Sequence, residues 1–306
     1  MRGRIIIISG PTSAGKSEIA IDVARSIDGE IVSADSMQVY RGMDIGTGKL
    51  RPEEMKGVRH HLIDIFDPKD DFNVSIFRER AIEAIDDILS RGKVPIIVGG
   101  TGFYIKSILY YRDEEDPGKD PEYKNRLRKI ADESGLSGLY DELFKVDPRL
   151  CERINRNDRS RIIRALEYYH ATGRRYSDYC DSTTSDEPRY DARFFMLDCD
   201  RKILYRRIDE RIDRMISDGL VDEVRKLLSD GVGPTNTSMN GIGYKEIVRY
   251  LSGVYPLEEA VRLIKSNTHH YAVRQCTWFR NQKDIVTIDC LDREKAVVQI
   301  IDSVKG

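Results

Sequence analysis

Apolar residues along this chain alternate between two patterns. Arg4–Ser9 is an unbroken apolar run bounded by polar residues, as expected of a strand buried on both faces. After a glycine turn, Ile19, Ala20, Val23, Ala24 and Ile27 recur at the spacing of one helical face, predicting a helix from about Lys16 to Ile27. Residues 30–34 predict a short strand and 61–65 another. Residues 75–90 predict an amphipathic helix with Ile76, Ala81, Ile85, Ile88 and Leu89 on its apolar side, and 94–98 a further buried strand. Strands alternating with helices predict an α/β fold: a parallel sheet core covered by helices.

The pattern changes at about Arg112. As far as Pro188 no convincing strand is found, and helical segments rich in Arg, Lys and Tyr take over. Arg-Phe-Phe-Met-Leu-Asp at 193–198 restores the strand signature, helices follow over 201–280, and 284–289 and 293–304 predict a last strand and helix. The expected organisation is an α/β core, residues 1–111 and 189–306, interrupted by a helical insertion domain at 112–188.

Composition narrows the class. With 40% hydrophobic and 33% charged residues and no apolar run near the ~20 needed to span a bilayer, a cytoplasmic, membrane-free protein is expected. The apolar stretch at 5–8 is too brief for a signal peptide. A net charge of −2 announces no globally basic nucleic-acid binder, so local charge must carry any such function. The five cysteines are scattered without a Cys-x-x-Cys pair, so neither a disulfide framework nor a zinc site is expected. His60-His61 and His269-His270 are adjacent pairs whose side chains point apart, so they predict no chelate.

Gly10-Pro11-Thr12-Ser13-Ala14-Gly15-Lys16-Ser17 matches G-x-x-x-x-G-K-[ST] between a predicted strand and a predicted helix. Such a P-loop turns successive amides toward phosphate oxygens, and the helix N-terminus adds partial positive charge. Lys16 reaches a terminal phosphate, and the Ser17 hydroxyl suits Mg²⁺. Nucleotide hydrolysis also needs an acidic Mg²⁺ partner at the end of an apolar strand. Here that strand runs into Gly99-Gly100-Thr101-Gly102, and Asp64 fits the role poorly. ATP is therefore expected to bind weakly, as a diphosphate mimic, without useful hydrolysis.

Asp35 follows the second predicted strand, at the sheet edge where open α/β folds hold ligands. Locally it reads equally as a turn or helix cap, as residues 99–102 read equally as a tight turn. Arg207, Arg211 and Arg214 share one helical face, and residues 149–164 carry six arginines; both also suit a solvated surface.

Taken in order, seven segments resemble the tRNA dimethylallyltransferase (tRNA isopentenyltransferase) family of bacterial type. They are the loop at 10–17, Ser-Ala-Asp-Ser-Met-Gln-Val-Tyr at 33–40, Met-Asp-Ile-Gly-Thr-Gly-Lys at 43–49 and Val-Gly-Gly-Thr-Gly-Phe-Tyr at 98–104. Arg-Ala-Leu-Glu at 164–167, Gly-Ile-Gly-Tyr-Lys-Glu at 241–246 and Arg-Gln-Cys-Thr-Trp-Phe-Arg at 274–280 complete the set. Many members carry Thr where this chain has Ser17, and either hydroxyl suits Mg²⁺. The cysteine spacing does not match the zinc-finger extension of longer eukaryotic members.

The resemblance implies a prenyltransferase that moves a dimethylallyl group from dimethylallyl diphosphate to N6 of the adenosine 3′-adjacent to the anticodon. It implies Asp35 as base, Thr101 as a positioning group, Lys16 and Arg211 as charge stabilisers, residues 10–17 as the diphosphate cradle, and Mg²⁺ on Ser17. Contacts to the tRNA anticodon arm fall on Asp35, Ser36, Met37, Gln38 and Thr101, and on Ser160, Arg161, Ile162, Ile163 and Arg164 of the insertion. They fall further on Asn240, Gly243, Tyr244 and Lys245, and on Arg274, Gln275, Thr277, Trp278 and Arg280; Trp278 suits the core equally well. A monomer is expected. An adenylate isopentenyltransferase acting on free AMP, ADP or ATP, a small-molecule kinase, and a non-catalytic nucleotide sensor remain as alternatives.

Overall fold

The computed structural model describes residues 3–110, 120–182, 187–282 and 284–305. The chain divides into two compact units, Met1–Leu109 with Arg189–Gly306, and Tyr110–Pro188.

The first unit opens with β1 (Arg4–Ser9), α1 (Lys16–Ile27), β2 (Gly29–Ser33), β3 (His60–His61), α2 (Val74–Ser90), β4 (Val94–Gly99) and α3 (Gly102–Leu109). The second holds α4 (Pro121–Ser134), α5 (Ser137–Val146), α6 (Pro148–Cys151), α7 (Arg159–Thr172) and α8 (Tyr176–Ser182). The first resumes with β5 (Asp191–Asp198), α9 (Arg201–Ser217), α10 (Leu220–Ser229), α11 (Tyr244–Leu251), α12 (Leu257–Arg280), β6 (Ile285–Asp289) and α13 (Arg293–Lys305).

Among the described residues the strands form one parallel six-stranded sheet, ordered β3-β2-β4-β1-β5-β6. Central β1 is paired on both edges, with Ile8 opposite Val98 and Phe195, and Ile5 to Ile8 have no exposed surface. Ile6 and Ile8 pack with Ile19, Ala20 and Val23 of α1 and with Ala296 and Ile300 of α13. The alternate residues Ile5 and Ile7 point to the other face. Burial on both faces is why β1 reads as continuous apolar sequence rather than as alternation.

Two expected elements differ. The strand predicted at 61–65 ends at His61, because Leu62 and Asp64 adopt left-handed φ angles of 64° and 57° that extended pairing excludes. In α2 the buried stripe is Phe77, Ala81, Ile85 and Ile88; Ile76 and Leu89 are only half-buried. Asn73 caps this helix, accepting from Ser75 N at 2.9 Å and Ile76 N at 3.2 Å, and Phe77 stacks on Tyr104 of α3 at 4.4 Å.

Cys199 and Cys290 form a disulfide, Cα atoms 5.4 Å apart, where no disulfide was expected. They follow neighbouring strands whose last paired residues are Asp198 and Asp289. A separation of 91 residues conceals that adjacency from any local spacing rule. Among the described residues no helix is long and apolar enough to cross a membrane.

Arg112, the expected start of the insertion, lies outside the described residues; the compact unit begins at Tyr110, which pairs antiparallel with Pro188. In the first unit, Arg189 N donates to Leu109 O at 2.8 Å. The second unit has its own core, including Leu127, Leu143, Ile162 and Leu166. Its buried Asp147 caps α6 through Leu150 N (3.1 Å) and accepts from Ser177 N at 2.8 Å.

A buried carboxylate, Glu30 of β2, is paired with Arg91 (Nη2 to Oε2, 2.8 Å) and hydrogen-bonded to His61 Nε2 at 2.8 Å. Hydrogen bonding by Arg91 is the main cause of a carboxyl pKa of about 2, with burial opposing it. Because the folded pKa lies below the ordinary value of 4.5, this stabilisation is complete above that value and is lost as pH falls toward 2. Glu30→Ala is expected to cost somewhat less than the ~3–5 kcal/mol of a fully buried pair, because Arg91 stays partly hydrated. Urea titrations at pH 7 and pH 3 check both points: the deficit of the variant should shrink at the lower pH.

Candidate active site

The loops after β1, β2 and β4 meet at the carboxyl edge of the sheet, the ligand edge of open α/β folds. α1 begins at Lys16 with Gly15 as its N-cap, and no side chain caps its first amides, so these donors suit an anion. Lys16 Nζ folds back over the loop to Pro11 O at 2.7 Å. Burial lowers its pKa to about 8; Arg211 pushes the same way, and Asp35 and Cys276 partly oppose.

Arg211 enters from α9. Its Nη1 donates to Thr12 Oγ1 at 3.2 Å and its Nη2 to Thr47 O at 3.1 Å. Burial depresses its pKa, the Asp35 carboxylate counters, and Arg214 adds to the depression. The three arginines of this face separate in space. Arg207 lies 3.5 Å from Cys290 Sγ, while Arg214 stays exposed.

Asp35 closes a turn and also reaches the cavities at the sheet edge. Oδ1 accepts from Met37 N at 2.8 Å and Gln38 N at 3.3 Å, closing a turn, while the same side chain lines two cavities. Among the described residues Oδ2 accepts no hydrogen bond. Thr101 bonds the hydroxyl of Tyr271, whose pKa burial raises, with Asp35 adding to the rise.

Three cavities meet here. The largest, about 890 Å³, is lined by Ser13 to Ser17 with Lys49, Arg51, Arg207, Arg211 and Arg214. A narrow one, about 120 Å³, lies between Lys16, Ser17, Asp35, Thr47, Gly100 and Arg211. The third, about 380 Å³, has apolar walls from Ile208, Ile212, Met215, Leu220 and Ile264, with Asp35, Met37, Tyr244, Tyr271 and Arg274. Arg211 lines all three and Asp35 the two smaller.

Several expected tRNA contacts stand elsewhere. Gln275 is 5% exposed and bridges two loops, accepting from Thr12 N and donating to Gly100 O, each at 2.9 Å. Its amide is therefore a brace rather than an open RNA contact, and a side chain at Gly100 would overlap it. Ile162 and Ile163, 0% and 4% exposed, belong to the core of the second unit because α7 turns that face inward. Tyr244 is buried, its hydroxyl donating to Glu223 at 2.6 Å. Trp278 is half-buried against Gly102.

Ser36, Met37, Asn240, Gly243 and Arg274 line the third cavity, and Gln38 lines the narrow one. Lys245, Thr277, Arg280, Ser160 and Arg161 are exposed, Arg280 reaching Asp198 at 2.9 Å. In the second unit Arg153, Arg159 and Arg164 pair with Asp181, Asp132 and Glu167 at 2.9, 2.6 and 3.0 Å. Tyr271 and Glu223 were missed by sequence reasoning: each is one polar residue in an ordinary amphipathic helix, with no local signal of its role. Asp64 is held by Lys49 Nζ at 2.6 Å, and β4 ends in glycine without a carboxylate.

The low pKa of Lys16 gives a measurable consequence. Binding an anion raises it, so diphosphate binding takes up a proton when pH exceeds about 8. Affinity for inorganic pyrophosphate is expected to be full below pH 8 and to lose up to about tenfold per unit above it, relative to Lys16→Arg, which stays charged. Calorimetry in buffers of different ionisation enthalpy measures both affinity and proton uptake.

Residues 38–282 match the family model described as IPP transferase. The tRNA dimethylallyltransferase of Heliobacterium modesticaldum is 48% identical over 303 residues, covering 98% of this chain and 95% of its own. Among solved structures, the full-length tRNA isopentenylpyrophosphate transferase from Bacillus halodurans is 39% identical with a TM-score of 0.75, covering 100% of this chain and 96% of its own. A eukaryotic dimethylallyltransferase acting on tRNA is 29% identical with a TM-score of 0.80, covering 96% of this chain and 75% of its own. With its fold and these matches in agreement, the chain belongs to the IPP transferase family.

Proposed function

We propose that the chain transfers the dimethylallyl group of dimethylallyl diphosphate to N6 of the adenosine 3′-adjacent to the anticodon in tRNA, releasing diphosphate. The supporting observation is that a cationic chamber over the phosphate loop and an apolar cavity bearing the Asp35 carboxylate share one side chain, Arg211. A diphosphate suits the first and an aromatic base the second.

In the reaction the C1–O bond of the donor breaks and its electron pair leaves with diphosphate. The N6 lone pair forms the C1–N6 bond, and the N6 proton passes to Asp35. Lys16, Arg211 and the first amides of α1 stabilise the growing charge on the leaving group. Thr101, whose hydroxyl meets that of Tyr271, helps hold the amine. The adenine has to leave its stack to reach the third cavity, where Tyr271 and Met37 offer apolar surface.

Among the described residues no group of three or more acidic, His or Cys side chains forms a metal cage. That suits Mg²⁺, which is commonly held through substrate phosphates and water. Ser17, which lines both phosphate-facing cavities, would hold it and the ion would neutralise leaving-group charge. The exposed Ser160, Arg161, Lys245, Arg274, Thr277 and Arg280 are proposed to grip the anticodon arm of tRNA, which a monomer of this protein binds.

Mass spectrometry of tRNA incubated with the protein, dimethylallyl diphosphate and Mg²⁺ should find one added five-carbon unit on that adenosine. Preferential modification of AMP would instead establish the free-nucleotide reading. Asp35→Asn keeps the turn but removes the base, so single-turnover prenylation should slow by about 10²–10⁴ with both substrates still bound. An unchanged rate would reduce Asp35 to its turn.

Replacing residues 110–188 with a short Gly/Ser linker should leave pyrophosphate binding intact, since Leu109 and Arg189 are already hydrogen-bonded. Affinity for tRNA should fall, and each lost arginine–phosphate contact should reduce the log–log salt slope by about 0.7–0.9. An unchanged slope would identify those arginines as a solvated, internally paired face.

A further inference from the structure

The motif at 43–49 contributes no catalytic atom to the reaction above, yet few segments of the first unit are as thoroughly held. Glu223, in the first turn of α10, aims its carboxylate at three consecutive amides. Oε2 accepts from Asp44 N at 2.9 Å and Ile45 N at 2.7 Å, and Oε1 from Gly46 N at 3.1 Å. The buried Tyr244 hydroxyl adds a fourth donor to Oε1 at 2.6 Å. Successive amides turned to one point form an anion-binding concavity, and here the anion is a side chain of the same protein. Such charge-assisted bonds are roughly twice as strong as neutral ones.

The far end of the motif is fixed as well. Lys49 Nζ donates to Tyr40 O at 3.0 Å and to Asp44 and Asp64, each at 2.6 Å. Between these anchors Thr47 bonds its own hydroxyl to Met43 O at 2.6 Å and offers its carbonyl to Arg211 Nη2 at 3.1 Å. Gly48 has φ +60°, and a Cβ there would overlap Arg211 Nη2. The segment is thus a shelf whose shape decides where the guanidinium rests, and Glu223 sets that shape.

We propose that Glu223 is a positioning residue for the transfer reaction: by clamping residues 44–46 it places the Thr47 carbonyl and Gly48 so that Arg211 meets the leaving diphosphate. This rests on the reading of Arg211 as the diphosphate clamp. Aligning the fork of an arginine with a diphosphate is sensitive to displacements of about 1 Å, which cost on the order of 10²-fold in rate.

The test is Glu223→Gln, which turns one acceptor into a donor facing N–H groups. Pyrophosphate affinity by calorimetry, kinetics with donor and tRNA varied separately, and the thermal midpoint are measured together. Expected are a roughly 10–100-fold loss in pyrophosphate affinity and in donor kcat/KM, and an unchanged tRNA KM. Combining Glu223→Gln with Arg211→Ala should add no further loss beyond Arg211→Ala alone. Gly48→Ala reaches Arg211 without touching Glu223 and should reproduce the donor defect, which covers the case of a poorly folded Glu223 variant. A lowered thermal midpoint with wild-type pyrophosphate affinity, or losses that add in the double variant, would reduce Glu223 to a scaffold residue and overturn the proposal. If Arg211→Ala itself leaves pyrophosphate affinity unchanged, the clamp reading falls, and this assignment with it.

Discussion

Lys16 and Arg211 carry like charges in a partly dehydrated chamber, and burial is the chief cause that lowers the pKa of each. Holding two cations together against repulsion is the constraint around which the first unit is arranged. Lys16 is tied to a loop carbonyl, and Arg211 to Thr12 and Thr47. Asp35, fastened by its own turn, supplies the counter-charge felt by both. Gln275 then locks the phosphate loop to the Gly100 turn. Each tie comes from a different element, so the sheet order that brings those elements to one edge is what makes the chamber possible.

The parts apparent in the sequence were those whose physics is local. A continuous apolar strand, a glycine loop and a 3.6-residue repeat are each specified within a dozen residues, and β1 and α1 have the predicted bounds. Where the outcome hinges on backbone detail the pattern misled: residues 61–65 look like a strand, yet left-handed Leu62 and Asp64 end it after His61. Glu223 and Tyr271 gain their roles only through partners far along the chain, 177 to 179 residues away for the amides that Glu223 binds.

The second unit teaches a related lesson about charge. A run of six arginines suggests a basic surface, but several already face carboxylates within the same unit, and Ile162 and Ile163 turn into its core. Counting cations along a sequence overstates the field that a nucleic acid would meet, because the acidic partners lie on other helices. Arg161, paired among the described residues only with its neighbour Asp158 and largely exposed, is the better placed to meet a phosphate.

The cross-link between Cys199 and Cys290 encloses α9 to α12, and with them Arg211, Glu223, Tyr244, Tyr271 and Gln275. The helical layer is in effect a covalent ring hung from two adjacent strands. In the chain-entropy description, closing a loop of that length removes about 4–5 kcal/mol of freedom from the unfolded chain. Arg211, Glu223, Tyr244, Tyr271 and Gln275 therefore ride on a loop of chain whose two ends cannot drift apart, even when the helices between them loosen.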